Sequence, residues 1–242
     1  MSVDAVLSEI GARFTDAESR AYLRTHRRRY RILLRVVGDV VHAVPKPPAR
    51  VLDVGPAYET EAMRRLWPNV IVDSLGFLDP RLEPPRDGEH HTEFDLATAV
   101  DATTWPEIGP YDVIVLAEVI EHLHVGPRRT LAMVASLLRP GGGTLVVQTP
   151  NAAALSRRFW LLAGRNPFEE IRDDLHHAGH FREYTARELQ TMLADAGLKV
   201  MRTELDNYFV TGTRKNHVLV TLSPVVPRRL RQGITTVAVR PS

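Results

Sequence analysis

The sequence predicts an α/β fold built on a mostly parallel sheet, and two observations predict it. From residue 50 onward, short β-branched apolar runs alternate with segments of helical periodicity, the pattern of strands joined by crossover helices. Acids, glycines and histidines recur where those runs end, on the edge where an open α/β sheet gathers its ligands. The chain of 242 residues, 44% hydrophobic and 25% charged, is long enough to bury one large core, which limits it to one domain with an appendage.

Each element follows from its own pattern. Over residues 20–44, Tyr22, Leu23, Tyr30, Leu33, Leu34, Val37, Val40, Val41 and Val44 recur mostly at helical spacing, with arginines on the other face, predicting an amphipathic helix. The "PKPP" at 45–48 ends it, because proline cannot continue the hydrogen-bond ladder. Residues 1–48 are therefore read as a helical appendage and 49–242 as the main domain. There "RVLDV" (50–54) is a strand, "TEAMRRLW" (60–67) a helix and "NVIVDSL" (69–75) a strand. "YDVIVLA" (111–117) and "TLVVQT" (144–149) are strands that bracket the helical "RRTLAMVASLLR" (128–139). Beyond Pro150 come a helix (152–163), an irregular polar loop (164–180), a second helix (185–197), a strand (198–205) and a last strand, "GITTVAVRP" (233–241).

Composition excludes several function classes. With no cysteine, the chain has no disulfide, thiolate metal site or cysteine nucleophile, in keeping with a reducing compartment. No apolar run is long enough to span a bilayer, and "MSVDAVLSEIGARF" lacks the basic start and long apolar core of a signal peptide, so a cytoplasmic protein is expected. A formal net charge of +2 rules out a general polyanion binder, and nucleic acid is not an expected partner. The basic block "RTHRRRYRILLR" (24–35) is expected to pack its apolar stripe on the main domain; contact with RNA or an anionic membrane is an alternative, and capping the active site or forming a homodimer is the favoured special role.

Two stretches carry candidate chemistry. "VLDVGPAYET" (51–60) reads as strand, acid, glycine turn and helix start, although Pro56 and Ala57 stand where a glycine-rich continuation would be, and a plain tight turn has the same pattern. "VLAEVIEHLHVG" (115–126) sets Glu118, Glu121 and His122 at i, i+3 and i+4, one face of a helix if a helical turn begins after Ala117. First-turn acids that merely complement the helix dipole fit the same spacing.

The order "VLDVG", "VIVDSLGF", "TEFDL", "YDVIVLAEVIEHL", "LLRPGGGTLVVQTPN", "HFREYT" resembles class I S-adenosylmethionine-dependent methyltransferases over roughly residues 50–205. The resemblance implies a Rossmann-like, mostly parallel seven-stranded sheet with helices on both faces, the last strand inserted antiparallel. It implies S-adenosylmethionine as methyl donor, with Asp53, Gly55, Pro56 and Ala57 at its methionine portion, Asp95 and Leu96 at its adenine, and Ala117 at the end of the fourth strand. For the acid that holds the ribose hydroxyls it offers Asp73 first and Asp79 second, since Gly76 stands where the family often has its carboxylate.

The Glu-x-x-Glu-His arrangement, with a later histidine in "GHFREYTAREL", also resembles two metal-assisted groups, the small-RNA 3′-terminal 2′-O-methyltransferases and the ubiquinone-biosynthesis O-methyltransferases. That implies a divalent cation, Mg²⁺ first, held by Glu118, Glu121, His122 and His180. Glu121, His122 and His180 are the candidate catalytic residues, an imidazole that does not ligate being free to take the acceptor's proton. The "TPN" to "HFREYT" pattern looks like bacterial saccharide methyltransferases, so the expected acceptor is a saccharide hydroxyl. An RNA terminal 2′-hydroxyl, a phenol, or a non-catalytic scaffold are the alternatives. Asn151 and His177 are possible substrate contacts, while His90, His91 and His176 read as solvated loop residues and His124 as a spare near the site.

Overall fold

The computed structural model describes residues 1–173, 179–208 and 226–242. Seven strands form one sheet in the order β3-β2-β1-β4-β5-β7-β6. They are β1 (Arg50–Val54), β2 (Ile71–Gly76), β3 (His91–Glu93), β4 (Val113–Ala117), β5 (Thr144–Pro150), β6 (Lys199–Asp206) and β7 (Gly233–Val239). β7 runs antiparallel to both β5 and β6, and every other pairing is parallel. The order reverses between β1 and β4, so the carboxyl ends of these two strands frame the crevice in which sheets of this kind bind ligands.

The strand pleat divides the core into two layers. Leu52, Val54, Ile114, Leu116, Leu145 and Val147 face one side, against α4 (Pro127–Ser136) and α6 (Ala186–Asp195). Val51, Val113, Val115 and Val146 face the other, where they meet α1 (Val3–Arg13), α2 (Ala17–His42) and α3 (Tyr58–Leu66). The N-terminal region is helical, with α2 over the stretch whose periodicity predicts a helix, and its apolar stripe, including Leu33, Val36, Val37 and Val41, is part of this second core. Asp16 caps α2 by accepting from the Ser19 amide at 2.6 Å. α5 (Leu155–Leu162), in contrast, buries none of its side chains. Among the described residues no helix is long and apolar enough to cross a membrane.

Candidate active site

β1 and β2 end in glycines that meet at the carboxyl edge. Gly55 has φ +77°, its amide donates to the Leu75 carbonyl at 2.8 Å, and a Cβ there would fall 2.5 Å from Val119 Cγ2. Gly76 has φ +133°, and a Cβ on it would lie 3.4 Å from Gly55 Cα. Glycine alone takes these angles without strain, so two bare backbones line the crevice. Pro56 is buried beside them and Ala57 half-buried, its amide donating to Thr60 Oγ1 at 3.2 Å as α3 begins.

Asp53 lies beneath this turn, fully buried. Its Oδ2 accepts the Thr60 hydroxyl at 2.5 Å, and its Oδ1 has no partner among the described residues. Burial, and then the charge of Glu59, push its carboxyl well above the usual range. A buried acceptor in that state suits a cationic or N–H donor from a bound molecule. Asp95 is exposed and caps a 3-10 turn by accepting from the Ala97 amide at 2.9 Å, with Leu96 buried behind it. Ala117 ends β4 and is buried.

The ribose acid expected at Asp73 is corrected by its position. Asp73 pairs in register with Leu52, three residues before β2 ends, and is buried. Its Oδ2 accepts from Arg50 Nη2 at 2.6 Å and its Oδ1 from the His90 amide at 2.8 Å, so it serves the sheet and leaves no oxygen for a ligand. Asp79, the second choice, lies past the strand end and is gripped by Arg81 through both oxygens, at 2.6 to 3.0 Å.

The 115–126 stretch departs from a regular helix start. Glu118 has φ 56°, the one left-handed non-glycine residue among those described, and its amide donates to the Gln148 carbonyl at 2.7 Å. Helical geometry begins only at a 3-10 turn, Ile120–His122, so Glu118 does not share a face with Glu121 and His122. Its carboxylate is directed instead toward the second core layer, with Oε2 3.8 Å from Arg29 Nη1 and Oε1 3.5 Å from Tyr208 Oη. Burial and then the charge of Glu121 raise its carboxyl to about 8.

Glu121, His122 and His180 do converge, each offering a ligand atom within 4.8 Å of the others. Backbone ties bring the distant histidine in: the Phe181 amide donates to the Glu121 carbonyl at 2.8 Å. His122 Nδ1 donates to the Gly179 carbonyl at 2.9 Å, and His180 Nδ1 contacts Glu183 Oε1 at 3.2 Å. With Nδ1 protonated, each ring keeps its Nε2 lone pair, the arrangement found around metal-bound imidazoles. Glu121 is fully buried, its Oε2 accepts the Thr149 hydroxyl at 2.9 Å, and its Oε1 is unpartnered among the described residues. Burial raises it to about 7. Three of the four expected ligands thus offer atoms within 4.8 Å of one another, and Glu118 stands outside the group, though the charges of Glu121 and His180 both act on its carboxyl.

A methyltransferase-domain family model matches residues 23–203, three quarters of the chain in one span. The chain belongs to that family. Among solved structures, the methyltransferase resembles the N-methyltransferase NodS of Bradyrhizobium japonicum WM9, with 16% identity, 90% of this chain and 98% of that one covered, and a TM-score of 0.52. A SAM-dependent methyltransferase of Archaeoglobus fulgidus gives 14% identity, coverage of 85% and 90%, and a TM-score of 0.55. The [4+2]-cyclase SpnF gives 14%, coverage of 86% and 80%, and 0.56. These likenesses establish the Rossmann-like methyltransferase fold, which, as the cyclase illustrates, hosts more than one chemistry. No curated protein matches the sequence.

One buried residue beside Glu118 was concealed in the basic block. Arg29 is 2% exposed, sits with Glu118 and Glu59 as its charge partners, and stacks on the Tyr30 ring at 4.4 Å. It lies four residues before buried Leu33, on the inward face of α2, and that periodicity was the available signal. Asn151 is committed to the fold: its amide nitrogen donates to the Arg231 carbonyl at 2.7 Å and its Oδ1 accepts from the Ala153 amide at 3.0 Å. The triple glycine at 141–143 borders a cavity beside Arg50 and Thr144, at the amino ends of the strands and opposite the crevice. His91 Nδ1 is 2.9 Å from Ser74 Oγ, and His124 is exposed against Phe181; His176 and His177 lie outside the described residues.

A cavity of about 580 Å³ opens beside the triad. His180 and Pro150 form one wall; Trp160, Arg157 and Ser156 of α5, the Arg165–Asn166 turn and Gln232 complete it.

Proposed function

We propose that this methyltransferase transfers the methyl group of S-adenosylmethionine to a hydroxyl of a saccharide, with a divalent cation held by Glu121, His122 and His180. The observation that carries the acceptor reading is the cavity beside His180. It joins one indole face to several neutral polar side chains, and sugar rings bind by stacking on such a face while their hydroxyls are tied down.

The donor supplies a methyl group on a sulfonium already primed to leave, so the chain's task is to bind and orient it. Asp53 Oδ1 suits the ammonium of its methionine portion and Arg29 the carboxylate, since the Arg29 Nε is buried without a partner among the described residues. The bare backbones at Gly55 and Gly76 allow close approach, and Asp95 stands at the adenine end. Asp73 is withdrawn from the ribose role.

A bound divalent ion would supply the charge that makes an aliphatic hydroxyl ionisable near neutral pH. The chain's part is to keep three ligand atoms fixed. Thr149 sets the Glu121 carboxylate, the Gly179 carbonyl sets His122, and Glu183 sets His180. Two imidazoles with one carboxylate are a borderline donor set, which favours Mn²⁺, Fe²⁺, Co²⁺ or Zn²⁺ over the Mg²⁺ that two carboxylates would prefer.

The test is incubation with methyl-labelled S-adenosylmethionine and separate panels of saccharides, phenols and 3′-terminal RNA, with and without chelator. Label in saccharide alone, suppressed by chelation, is the expected result. Label confined to phenol or RNA would sink the acceptor reading, and no label in any panel would favour a scaffold.

A further inference from the structure

We infer that the acceptor saccharide carries an anionic group, a carboxylate or a phosphate, which Arg165 binds while the sugar ring stacks on Trp160; this rests on the saccharide reading above.

The charges around the cavity are one-sided. Among the described residues its walls include Arg157, Arg165 and His180 and no carboxylate side chain. Arg157 is already occupied: it pairs with buried Glu183, donates to the Pro167 carbonyl and lies over the Phe168 ring. Arg165 is not. Among the described residues its guanidinium makes no hydrogen bond or ion pair, and it lies over the Trp160 ring, with Cζ 5.3 Å from the centroid.

The local fold fixes this pair. α5 ends as the Ala163 amide donates to the Phe159 carbonyl at 3.0 Å, Gly164 turns the chain at φ +69°, and the Arg165 amide returns to the Trp160 carbonyl at 2.8 Å. The guanidinium is thereby held over the indole ring, on the same cavity as His180. On the same cavity, Gln232 Oε1 is buried with no donor among the described residues, while its backbone amide donates to Asn207 Oδ1 at 3.0 Å. That acceptor suits a ligand hydroxyl.

A neutral sugar would satisfy Gln232 and Trp160 and leave the guanidinium in water. An acidic sugar gains a charge-assisted, bidentate partner as well, and arginine is the side chain shaped for carboxylate and phosphate alike. A volume of about 580 Å³ admits a sugar ring with one such substituent.

The experiment uses the full chain, saturated with S-adenosylmethionine and Mn²⁺, on four acceptors: glucose, glucuronate, glucose 1-phosphate and UDP-glucose. Methyl-transfer kinetics are paired with ligand-observed NMR binding, in the wild type and in Arg165→Gln and Arg165→Lys. At least one anionic acceptor should exceed glucose about tenfold in kcat/KM, and Arg165→Gln should raise its KM roughly ten- to a hundredfold while Arg165→Lys recovers part. Preference for glucuronate names the carboxylate; preference for either phosphate ester names the phosphate. Glucose used as well as every anion, or an anion preference that survives Arg165→Gln, overturns this inference and leaves the saccharide reading standing. Transfer to and binding of no saccharide, with transfer to phenol or RNA, overturns the saccharide reading and this inference with it.

Discussion

Arg29 Nη1 on α2 lies 3.8 Å from Glu118 Oε2 at the end of β4. The pair joins the N-terminal helical layer to the crevice, and both partners are largely withdrawn from water. Removing one member of such a pair leaves the other buried and uncompensated, a loss of roughly 3–5 kcal/mol when both are fully charged. Glu118 can escape by taking up a proton, since its carboxyl is already raised to about 8. Arg29→Met should therefore destabilise by about 2–3 kcal/mol, at or below the lower limit of that range. Urea unfolding checks it, and adding Glu118→Gln should restore part of the loss. A variant as stable as the wild type would mean that the two charges do not interact.

Gly55→Ala should weaken S-adenosylhomocysteine binding and lower stability by about 1–3 kcal/mol, because it adds a left-handed angle and a collision with Val119. Pairing it with Val119→Ala removes the collision and leaves the strained angle, so the double variant should regain only part of the stability. Calorimetry of cofactor product binding, beside thermal melts, separates the two effects. Unchanged affinity in the folded single variant would remove this turn from the cofactor site.

Ion binding should discriminate between the two acids. Glu121→Gln should lower Mn²⁺ affinity at least tenfold, and Glu183→Ala, which removes the acceptor that His180 Nδ1 faces, by about tenfold. Glu118→Gln should leave Mn²⁺ affinity nearly unchanged, since Glu118 is directed at Arg29. Titration followed by electron paramagnetic resonance measures all three. Equal losses in Glu118→Gln and Glu121→Gln would return Glu118 to the ligand set.

His26 supplies a pH dependence. Burial, and then the charge of Arg29, lower its imidazole from 6.5 to about 4. The unfolded chain therefore takes up this proton at higher pH than the folded one does. Stability from His26 is full above about pH 6.5, falls as the pH drops toward 4, and is lost below it, a change of roughly 3 kcal/mol. His26→Phe, which preserves an aromatic against Tyr22, should flatten the pH–stability curve over that window. A variant curve parallel to the wild type's would assign acid lability to other groups.

The sheet was legible because strand and helix periods differ, and because crossover helices leave a parallel strand little choice of direction. The convergence of Glu121 and His122 was legible for a similar reason: one turn of chain suffices. Glu118 was not, since a single left-handed residue detaches it from that turn and no side-chain pattern encodes a φ of 56°. Asp73 misled because an acid near the end of an apolar run looks alike whether it lies at the edge or three residues inside it. Only the register, Asp73 beside Leu52, separates the cases. Arg29 was hidden among neighbouring arginines whose charge suggested water, although its place four residues from Leu33 turned it inward.

The helical layer made by α1 and α2 has a consequence for synthesis. These helices leave the ribosome before the sheet does, and the valines that cover α2's stripe arrive late: Val113 and Val115 follow by some seventy residues and Val146 by about a hundred. Until β4 and β5 are made, Leu33, Val36 and Val37 have no sheet to lie on, and the nascent chain carries a sticky amphipathic rod flanked by arginines. Such long-range closure is slow and exposes apolar surface on the way. Translation stalled before residue 144 should leave a chain that holdase chaperones retain, whereas one released after β7 should let them go.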